Sequence, residues 1–488
     1  MDYSILGSIL PRYIRMIGDS SSERDIPKIG GVSSQKVNWA PGMYCVPGYI
    51  SIRDRDGDYE ELSEIGLYPM DIASWLAVMS LKIPNNSQAI SVLDLCCCPG
   101  SKLQLISEKL NNNSIVVGVD ISTQRLNVCK SILRSLAPAA RKFCTTGCGR
   151  KLVFQCDGTK FSQNSMGELV YDSTIIDEEI IEYGSVKKRN KSYRERETKR
   201  LKTQQNSWIA GISKDENTKI ESSLVLDQFD YVLVDAECTH DASYKHMKYV
   251  PQKSTLSDIN IDNSSANKCN TSGLTKPKAQ LSHYNNNDDN TTPTTTSTLE
   301  SNTASIELLT LQRSLLMNGF QRLIPGGSLV YSTCSQDRSQ NEDIIQWLLD
   351  TVGGEAAELV DVCEVLDEVL AGYTAESEGC AGVKCTDSDA TTDTAATTTA
   401  TTTTTTTITT EDSPLQLLQL DLPDLFATLR EKYPSTEALH SLSTHICQAV
   451  TALPVPLLTT SVLLPGTLRL SYRNGMSGHF IAKIKKKC

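Results

Sequence analysis

The sequence predicts an α/β protein with a Rossmann-like, doubly wound sheet, and two observations support this prediction. From Ala89 onward, short apolar runs alternate with helical patterns, which is the sequence form of a parallel sheet with crossover helices. Aspartates and cysteines stand at the ends of several of these runs. Because open α/β sheets bind ligands at the carboxyl ends of their strands, we expect one ligand-binding edge.

The order of elements follows from these patterns. The predicted strands are residues 90–95, 115–119, 152–156, 229–234 and the run that ends at Cys334, and the predicted helices are residues 102–110, 123–136, 306–323 and 341–349. Residues 467–472 and 479–484 are predicted to form an antiparallel hairpin at the end of the domain. Asp71 precedes another helical pattern as its expected N-terminal cap.

Composition predicts that part of the chain does not pack. Hydrophobic residues make up 39% of the 488 residues and aromatic residues 6%, both of which favour disordered insertions. We expect an N-terminal lead-in over residues 1–80, a candidate RNA-binding segment, and one domain over residues 81–488. Three polar or low-complexity insertions interrupt that domain, at about residues 162–223, 252–304 and 377–413.

The net charge of −11 provides no global field for a polyanion, so nucleic-acid binding would have to be local. Residues 187–202 contain nine basic and two acidic residues, a net of +7. This run is either a solvated charged segment or an arm that follows phosphates, and both interpretations stay open. Four lysines near the end of the chain are further candidate backbone contacts: Lys483, Lys485, Lys486 and Lys487.

The sequence also bears on compartment and metal content. No apolar run approaches the ~20 residues of a membrane helix, and the apolar residues 5–10 lack a following cleavage site, so we expect neither membrane insertion nor secretion. Sixteen cysteines, three of them adjacent, indicate reduced thiols in an intracellular compartment; nucleus, nucleolus, cytoplasm and mitochondrion all stay open. The spacings of Cys144 with Cys148 and of Cys380 with Cys385 do not match a zinc knuckle, so we expect no metal.

The first candidate site is the turn after the first strand, from Asp94 to Lys102. Its glycine, Gly100, lets the backbone approach a ligand, and the helix that follows offers free N–H groups. Asp120, Asp157 and Asp235 end the next three strands. Such carboxylates suit ribose hydroxyls, an adenine amino group or a sulfonium cofactor, although each could instead cap a helix.

The second candidate site is a pair of thiols. Cys334 lies at one strand end, and Cys238 follows another strand that ends at Asp235. A thiolate is a strong nucleophile when a neighbour lowers its pKa or accepts its proton. Cysteine is also a common buried residue, but two thiols at two strand ends of one sheet indicate a shared site.

Three ordered motifs resemble the Sun-domain (RsmB-like, Fmu/Nop/Sun) family of S-adenosylmethionine-dependent RNA cytosine-5 methyltransferases. They are residues 94–102, residues 235–238, and residues 331–335 with Asn341 and Glu342 behind them. The resemblance covers roughly residues 66–158, 224–250, 305–350 and 465–485. It implies the Rossmann-like fold of class I methyltransferases, transfer of a methyl group to C5 of cytosine in tRNA or rRNA, and a monomeric protein.

The resemblance also implies roles for individual residues. Cys334 would add to C6 of cytosine, Asp235 would hold the N3 edge and favour the protonated adduct, Cys238 would remove the C5 proton, and Lys102 would stand near the base. The residues implied to bind S-adenosylmethionine are Cys96, Cys97, Cys98, Pro99, Gly100, Ser101, Lys102, Asp120, Arg125, Asp157 and Asp235. Asp120 would bind the ribose and Asp157 the adenine side.

The second motif departs from the family pattern Asp-x-Pro-Cys-Ser-Gly. Glu237 replaces the proline, and Thr239 and His240 replace the last two residues. We expect the extra carboxylate to raise the pKa of itself or of Asp235 and to slow thiolate formation at Cys238, which makes product release the weakest step. Two rivals stay open: a non-catalytic RNA-binding factor that keeps the fold, and a methyltransferase for a protein or small molecule in which Cys334 is structural.

Overall fold

A computed structural model describes nine segments of the chain and three isolated residues. They are residues 4–18, 26, 28–50, 52, 62–84, 88–144, 147–174, 227–243, 295–379, 414–452, 461 and 463–488. The basic run at 187–202 and most of the predicted insertions at 162–223, 252–304 and 377–413 lie outside these residues.

The central sheet combines five parallel strands with antiparallel strands at both edges. Its strands are β5 (Ser91–Leu95), β6 (Ile115–Asp120), β7 (Arg150–Gln155), β8 (Glu168–Asp172), β9 (Phe229–Asp235), β10 (Leu323–Thr333), β11 (Ala357–Val360), β12 (Leu468–Leu470) and β13 (His479–Lys486). They run in the order β11-β13-β10-β9-β5-β6-β7-β8, and β12 also pairs with β13. The strands from β10 to β7 are parallel, whereas β8 and β13 pair antiparallel with their neighbours.

Helices cover both faces of this sheet, because its strands are apolar on both sides. They are α2 (Ile72–Met79), α3 (Ser101–Glu108), α4 (Thr123–Phe143), α5 (Thr295–Gln321), α6 (Glu342–Val352) and α7 (Val362–Gly379). Asp71 caps α2 by accepting a hydrogen bond from the Ala73 N–H, as predicted. One apolar core lies on each face of the sheet.

The N-terminal residues form a second, smaller sheet. It consists of β1 (Arg12–Met16), β2 (Gln35–Lys36), β3 (Met43–Val46) and β4 (Leu67–Pro69), in the order β2-β3-β1-β4, preceded by α1 (Ser4–Ile9). The late helices α8 (Pro414–Leu417), α9 (Leu422–Lys432) and α10 (Thr436–Ala452) pack beside it. The Sγ atoms of Cys45 and Cys447 lie 2.8 Å apart there, so chain distant in sequence completes the N-terminal unit.

The buried ion pair of Arg15 and Glu108 joins the two units. An Arg15 nitrogen lies 3.0 Å from a Glu108 carboxylate oxygen on α3, and both side chains are about 96% buried (4% and 3% exposed). The Tyr68 hydroxyl donates to the same carboxylate. The small sheet is therefore anchored to the helix that starts at the candidate cofactor turn.

The predicted doubly wound α/β fold is confirmed, with differences at its edges. Strands β8 and β11 are additional to the predicted strands, and β8 lies within the range predicted as the first insertion, so that boundary moves to beyond residue 172. The hairpin partners β12 and β13 do pair, but a 3-10 turn at Tyr472–Asn474 connects them, and β13 is inserted between β10 and β11. Among the described residues, no helix is both long enough and apolar enough to cross a bilayer.

Candidate active site

The candidate site lies where the strand order reverses. In the parallel part of the sheet, β5 stands between β6 and β9, and the chain goes on to β6 and β7 on one side and to β9 and β10 on the other. Ligands of open α/β sheets bind in the crevice at this reversal, outside the carboxyl ends of the strands. The ends of β5, β6, β9 and β10 carry both candidate sites, so the fold brings them to one edge.

The turn after β5 has no room for a side chain at Gly100. Gly100 has φ +108°, and a Cβ there would lie 2.8 Å from the Cys129 sulfur. Only glycine adopts this conformation readily, and α3 begins at the next residue. The turn therefore presents its backbone at the mouth of a cavity, which is lined by Asp94, Cys96, Cys97, Cys98, Pro99, Gly100, Ser101, Lys102 and Asp235.

Asp94 is a buried carboxyl group at this cavity. Its side chain is 1% exposed, and neither carboxyl oxygen has a hydrogen-bond partner among the described residues. Burial, with the nearby Asp235 carboxylate, raises the pKa of Asp94 well above its ordinary value. A buried polar group without a partner is rare, so Asp94 is an acceptor available to a bound ligand.

Asp235, at the end of β9, is held by two donors. Lys102 Nζ lies 2.7 Å from its Oδ2, and the Ser332 hydroxyl donates to its Oδ1 at 2.8 Å. Burial opposes ionisation of Asp235, but Lys102 outweighs it and the pKa of Asp235 lies below its ordinary value. Burial would likewise lower the pKa of Lys102, and the Asp235 carboxylate reverses this so that the pKa is raised. The two residues form an ion pair at neutral pH.

The two predicted thiols are in contact. The sulfurs of Cys238 and Cys334 lie 3.3 Å apart, with Cys238 buried and Cys334 partly exposed. His240 joins them, since its Nδ1 lies 2.8 Å from the Cys334 sulfur and 3.6 Å from the Cys238 sulfur. The site therefore has two sulfurs and one imidazole nitrogen within hydrogen-bonding distance of each other.

Ionisation of this cluster favours a single thiolate. The hydrogen bond from Cys334 lowers the pKa of Cys238 to about 5 against the effect of burial, and His240 contributes in the same direction. The same sulfur–sulfur bond, together with burial, raises the pKa of Cys334. The hydrogen bond with Cys238 raises the pKa of His240. At neutral pH the pair thus holds one proton between two sulfurs.

Polar side chains fix the loop that carries Cys238. Gln340 accepts from the Thr239 N–H at 3.1 Å, and the Thr239 hydroxyl lies 2.9 Å from that of Ser335. Gln312 on α5 donates to the Glu237 carbonyl at 2.8 Å. Asn341 bonds Thr333 and the Ser335 carbonyl, which fixes the chain around Cys334. These bonds hold the two thiol-bearing loops in a fixed relative position.

The remaining predicted cofactor residues lie at or after the ends of β6 and β7. Asp120 is buried and lies 3.4 Å from Arg125, which also donates to the Cys98 carbonyl at 2.9 Å. Arg125 thereby ties the end of β6 to the turn after β5. Asp157 accepts from both the backbone and the hydroxyl of Thr159, so its carboxylate is engaged in its own turn. Neither aspartate lines the cavity itself.

The expected effects of the altered motif on Asp235 and Cys238 are wrong. Asp235 has a lowered pKa because Lys102 neutralises it, and Cys238 has a lowered pKa chiefly because of its hydrogen bond with Cys334. Glu237 is exposed to solvent. Sequence reasoning also missed two contacts: His240 against Cys334, and the ion pair that buries Glu342 against Arg469. The replacement of glycine by His240 was the available signal for the first.

Comparisons with known proteins bear on part of the chain. The family model described as 16S rRNA methyltransferase RsmB/F matches residues 78–207. Ribosomal RNA small subunit methyltransferase F of Klebsiella pneumoniae is 34% identical over 73 residues, and that of Salmonella paratyphi A is 36% identical over the same length. Each match covers 15% of this chain and 15% of the relative.

Two solved structures from Pyrococcus horikoshii are similar at low identity. A methyltransferase homolog protein has a TM-score of 0.40 at 15% identity, with 99% of this chain and 88% of that chain covered. NSun6 with SFG has a TM-score of 0.40 at 12% identity, with 99% and 93% covered. Residues 78–207 are thus similar to the RsmB/F methyltransferases, the group that the motifs indicate.

Proposed function

We propose that this chain is an S-adenosylmethionine-dependent RNA methyltransferase that methylates C5 of cytosine through a covalent cysteine adduct. The observation that carries the proposal is the contact of the Cys238 and Cys334 sulfurs, 3.3 Å apart at neighbouring strand ends. One such thiol can act as nucleophile and the other as base, which is what addition at C6 and proton removal at C5 require. The names of the relatives, ribosomal RNA methyltransferases, support RNA as the substrate.

The residues around the cavity fit S-adenosylmethionine. The unpartnered Asp94 carboxyl offers acceptor oxygen to an amino-bearing ligand, and Gly100 leaves the turn open to close approach. The turn from Cys96 to Lys102 would hold the cofactor, with Asp120 and Asp157 at or just after the adjoining strand ends and Arg125 on α4. Bound there, the cofactor supplies an electrophilic methyl group.

The ion pair of Lys102 and Asp235 would hold the base. Because Asp235 is ionised, it would accept from the exocyclic amino group rather than donate a proton. The Lys102 ammonium is then the donor to the N3 and O2 edge, where negative charge collects when a thiolate adds to C6. This assigns to Lys102 the donor role that the sequence analysis gave to Asp235.

Cys334 would attack C6, since it is the more accessible thiol of the pair. Its S–C6 bond pushes the C5–C6 electron pair onto C5, which then takes the methyl group. The buried Cys238 would remove the C5 proton, and the returning electron pair expels Cys334 as a thiolate. A cytosine must leave its stack to reach both thiols, so the target lies in a loop or is extruded.

Isotope transfer tests the proposal. The full-length protein is incubated with total RNA and methyl-labelled S-adenosylmethionine, and the RNA is digested to nucleosides and analysed by mass spectrometry. We expect label in 5-methylcytidine, and none with Cys334→Ser. Label at another nucleoside, or the same 5-methylcytidine yield from Cys334→Ser, would overturn the mechanism, and an absence of label across total RNA would favour a non-catalytic RNA-binding factor.

A further inference from the structure

His240 is the group in the thiol site that has no counterpart in the family pattern. It occupies the position of the glycine that normally follows Cys-Ser, and it keeps a positive φ of +57° that a side-chain-bearing residue rarely adopts. Its ring is exposed, while Nδ1 lies 2.8 Å from the Cys334 sulfur. The unfavourable backbone conformation of His240 is therefore accompanied by a specific contact of its ring with Cys334.

The loop around His240 is tied to the loop of Cys334. The Ala242 N–H donates to the Cys334 carbonyl at 3.1 Å, and the Gln336 N–H donates to the Asp241 carboxylate at 2.9 Å. The Ser243 N–H donates to the His240 carbonyl at 3.1 Å. These bonds hold the backbone of His240 and of Cys334 in fixed relative positions, and so they keep the imidazole in contact with the Cys334 sulfur.

The two thiols alone have one proton too many. If Cys238 is the resting thiolate, Cys334 must lose its own proton to attack C6. With only the other sulfur in reach, at 3.3 Å, that proton would pass to Cys238 and neutralise the base required for the C5 proton. A third proton acceptor lets both sulfurs act as thiolates in one catalytic cycle.

We propose that His240 is a catalytic acid–base residue that takes the Cys334 proton during attack and so keeps Cys238 ionised as the base. This inference rests on the proposed function. It requires Nδ1 unprotonated at the start, with the ring proton on Nε2, which is the form present above the pKa of His240 that the bond with Cys238 raises.

The protons balance over the cycle. As the Cys334 S–C6 bond forms, the thiol proton moves to His240 Nδ1, and the C5–C6 π pair forms the bond from C5 to the methyl carbon, whose bond to the sulfonium breaks. Cys238 thiolate then takes the C5 proton, the C5–H pair restores the C5–C6 double bond, and the S–C6 pair leaves on Cys334. His240 returns its proton to Cys334. The proton on Cys238 reaches water through the exposed imidazole, which accounts for the one proton that the methylation releases.

The decisive variant is His240→Gly, which restores the residue of the family pattern and adopts the positive φ without strain. We expect attack to persist but release to slow, with turnover reduced about 100-fold and a denaturation-resistant protein–RNA adduct accumulating. Added imidazole should restore turnover and remove the adduct. A purely structural role for the ring predicts no rescue. The control is His445→Ala, an exposed histidine on α10, which should behave as wild type.

The outcomes separate this inference from the proposed function. If wild type makes 5-methylcytidine and His240→Gly turns over within about twofold of it, without adduct, His240 is not the proton acceptor and the inference fails alone. The same holds if imidazole restores nothing. If wild type itself makes no 5-methylcytidine and Cys238→Ala forms no adduct, the proposed function fails and takes this inference with it.

Discussion

Lys102 Nζ and Asp235 Oδ2 lie 2.7 Å apart, in a site where the two side chains are only 13% and 25% exposed. The pair spans the gap between the helix after the cofactor turn and the end of β9, at the point where the strand order of the sheet reverses. It therefore couples the predicted cofactor site to the predicted base site. Removing one partner leaves the other charge buried and uncompensated.

Lys102→Met should destabilise the protein by about 3 kcal/mol at pH 7, measured by denaturant unfolding. The pKa of Asp235 is lowered in the folded state, so its contribution is present above the ordinary carboxyl pKa of ~4 and is lost as pH falls through its lower folded value. The stability difference between wild type and variant should therefore shrink as pH falls below about 4. The control is Lys485→Met, whose ion pair with Glu358 is exposed, with an expected loss below about 1 kcal/mol. A difference that is flat with pH would contradict the assigned ion pair.

Gly100→Ala should weaken cofactor binding. It should also destabilise the fold more than an alanine at a positive-φ glycine that has open space around it. The new Cβ would meet the Cys129 sulfur at 2.8 Å, and φ +108° adds strain. The matched control is Gly353→Ala, which has φ +83° with nothing within 4 Å of the new Cβ, so it tests backbone strain without a clash. We expect about 1–2 kcal/mol of destabilisation in the control and a larger loss in Gly100→Ala.

Isothermal titration with S-adenosylmethionine distinguishes the two glycine variants. The affinity of Gly353→Ala should equal that of wild type, and that of Gly100→Ala should fall at least about tenfold, or 1.4 kcal/mol. Equal affinities in both variants would show that the turn after β5 does not contact the cofactor.

Arg15→Met should detach the N-terminal sheet from α3. Arg15 and Glu108 are both nearly fully buried, so loss of the arginine leaves an uncompensated carboxylate, with an expected destabilisation of about 3 kcal/mol. Arg338→Met, which breaks the exposed pair with Asp343, is the control and should change stability by less than about 1 kcal/mol. Hydrogen exchange of β1 and β4 should rise selectively in Arg15→Met. Unchanged exchange there would mean that other contacts hold the small sheet.

The sequence predicted the parts of the fold that depend on local pattern. The parallel strands and the positions of Cys238 and Cys334 follow from apolar runs that end in polar residues, and the structure places these runs where they were expected. Strand β8 was missed because the residues around it are mostly polar and show no regular repeat of apolar positions. The contact of the Cys45 and Cys447 sulfurs could not be predicted, since these residues lie far apart in the sequence.

Within the site, side-chain contacts between loops were the limit of sequence reasoning. The extra carboxylate of Glu237 was expected to raise the pKa of its neighbours. The pKa of Asp235 is instead lowered by Lys102 and that of Cys238 by Cys334 and His240, and both Lys102 and Cys334 are distant in sequence from the groups that they affect. The contact of His240 with Cys334 depends on two loops 94 residues apart in the chain. The hydrogen bonds between the backbones of these two loops, which bring His240 against Cys334, are not visible in the sequence.

Cys238→Ala should trap the covalent intermediate. The variant keeps Cys334 and His240, so addition to C6 and methyl transfer proceed, but the thiolate whose pKa lies at about 5 is no longer there to take the C5 proton. A protein–RNA adduct that survives denaturing electrophoresis should accumulate to near stoichiometry with RNA, and only in the presence of S-adenosylmethionine.

The matched controls for this variant isolate the two sulfurs. Cys334→Ala and the double variant Cys238→Ala/Cys334→Ala should form no adduct, because the nucleophile is missing. Cys363→Ala, which removes a thiol on α7 outside the site, should release product like wild type. An adduct that persists without Cys334 would mean that another residue is the nucleophile. Normal release from Cys238→Ala would mean that another base removes the C5 proton. The nearest imidazole to the reacting sulfur, in the described part of the chain, is that of His240, whose Nδ1 lies 2.8 Å from the Cys334 sulfur.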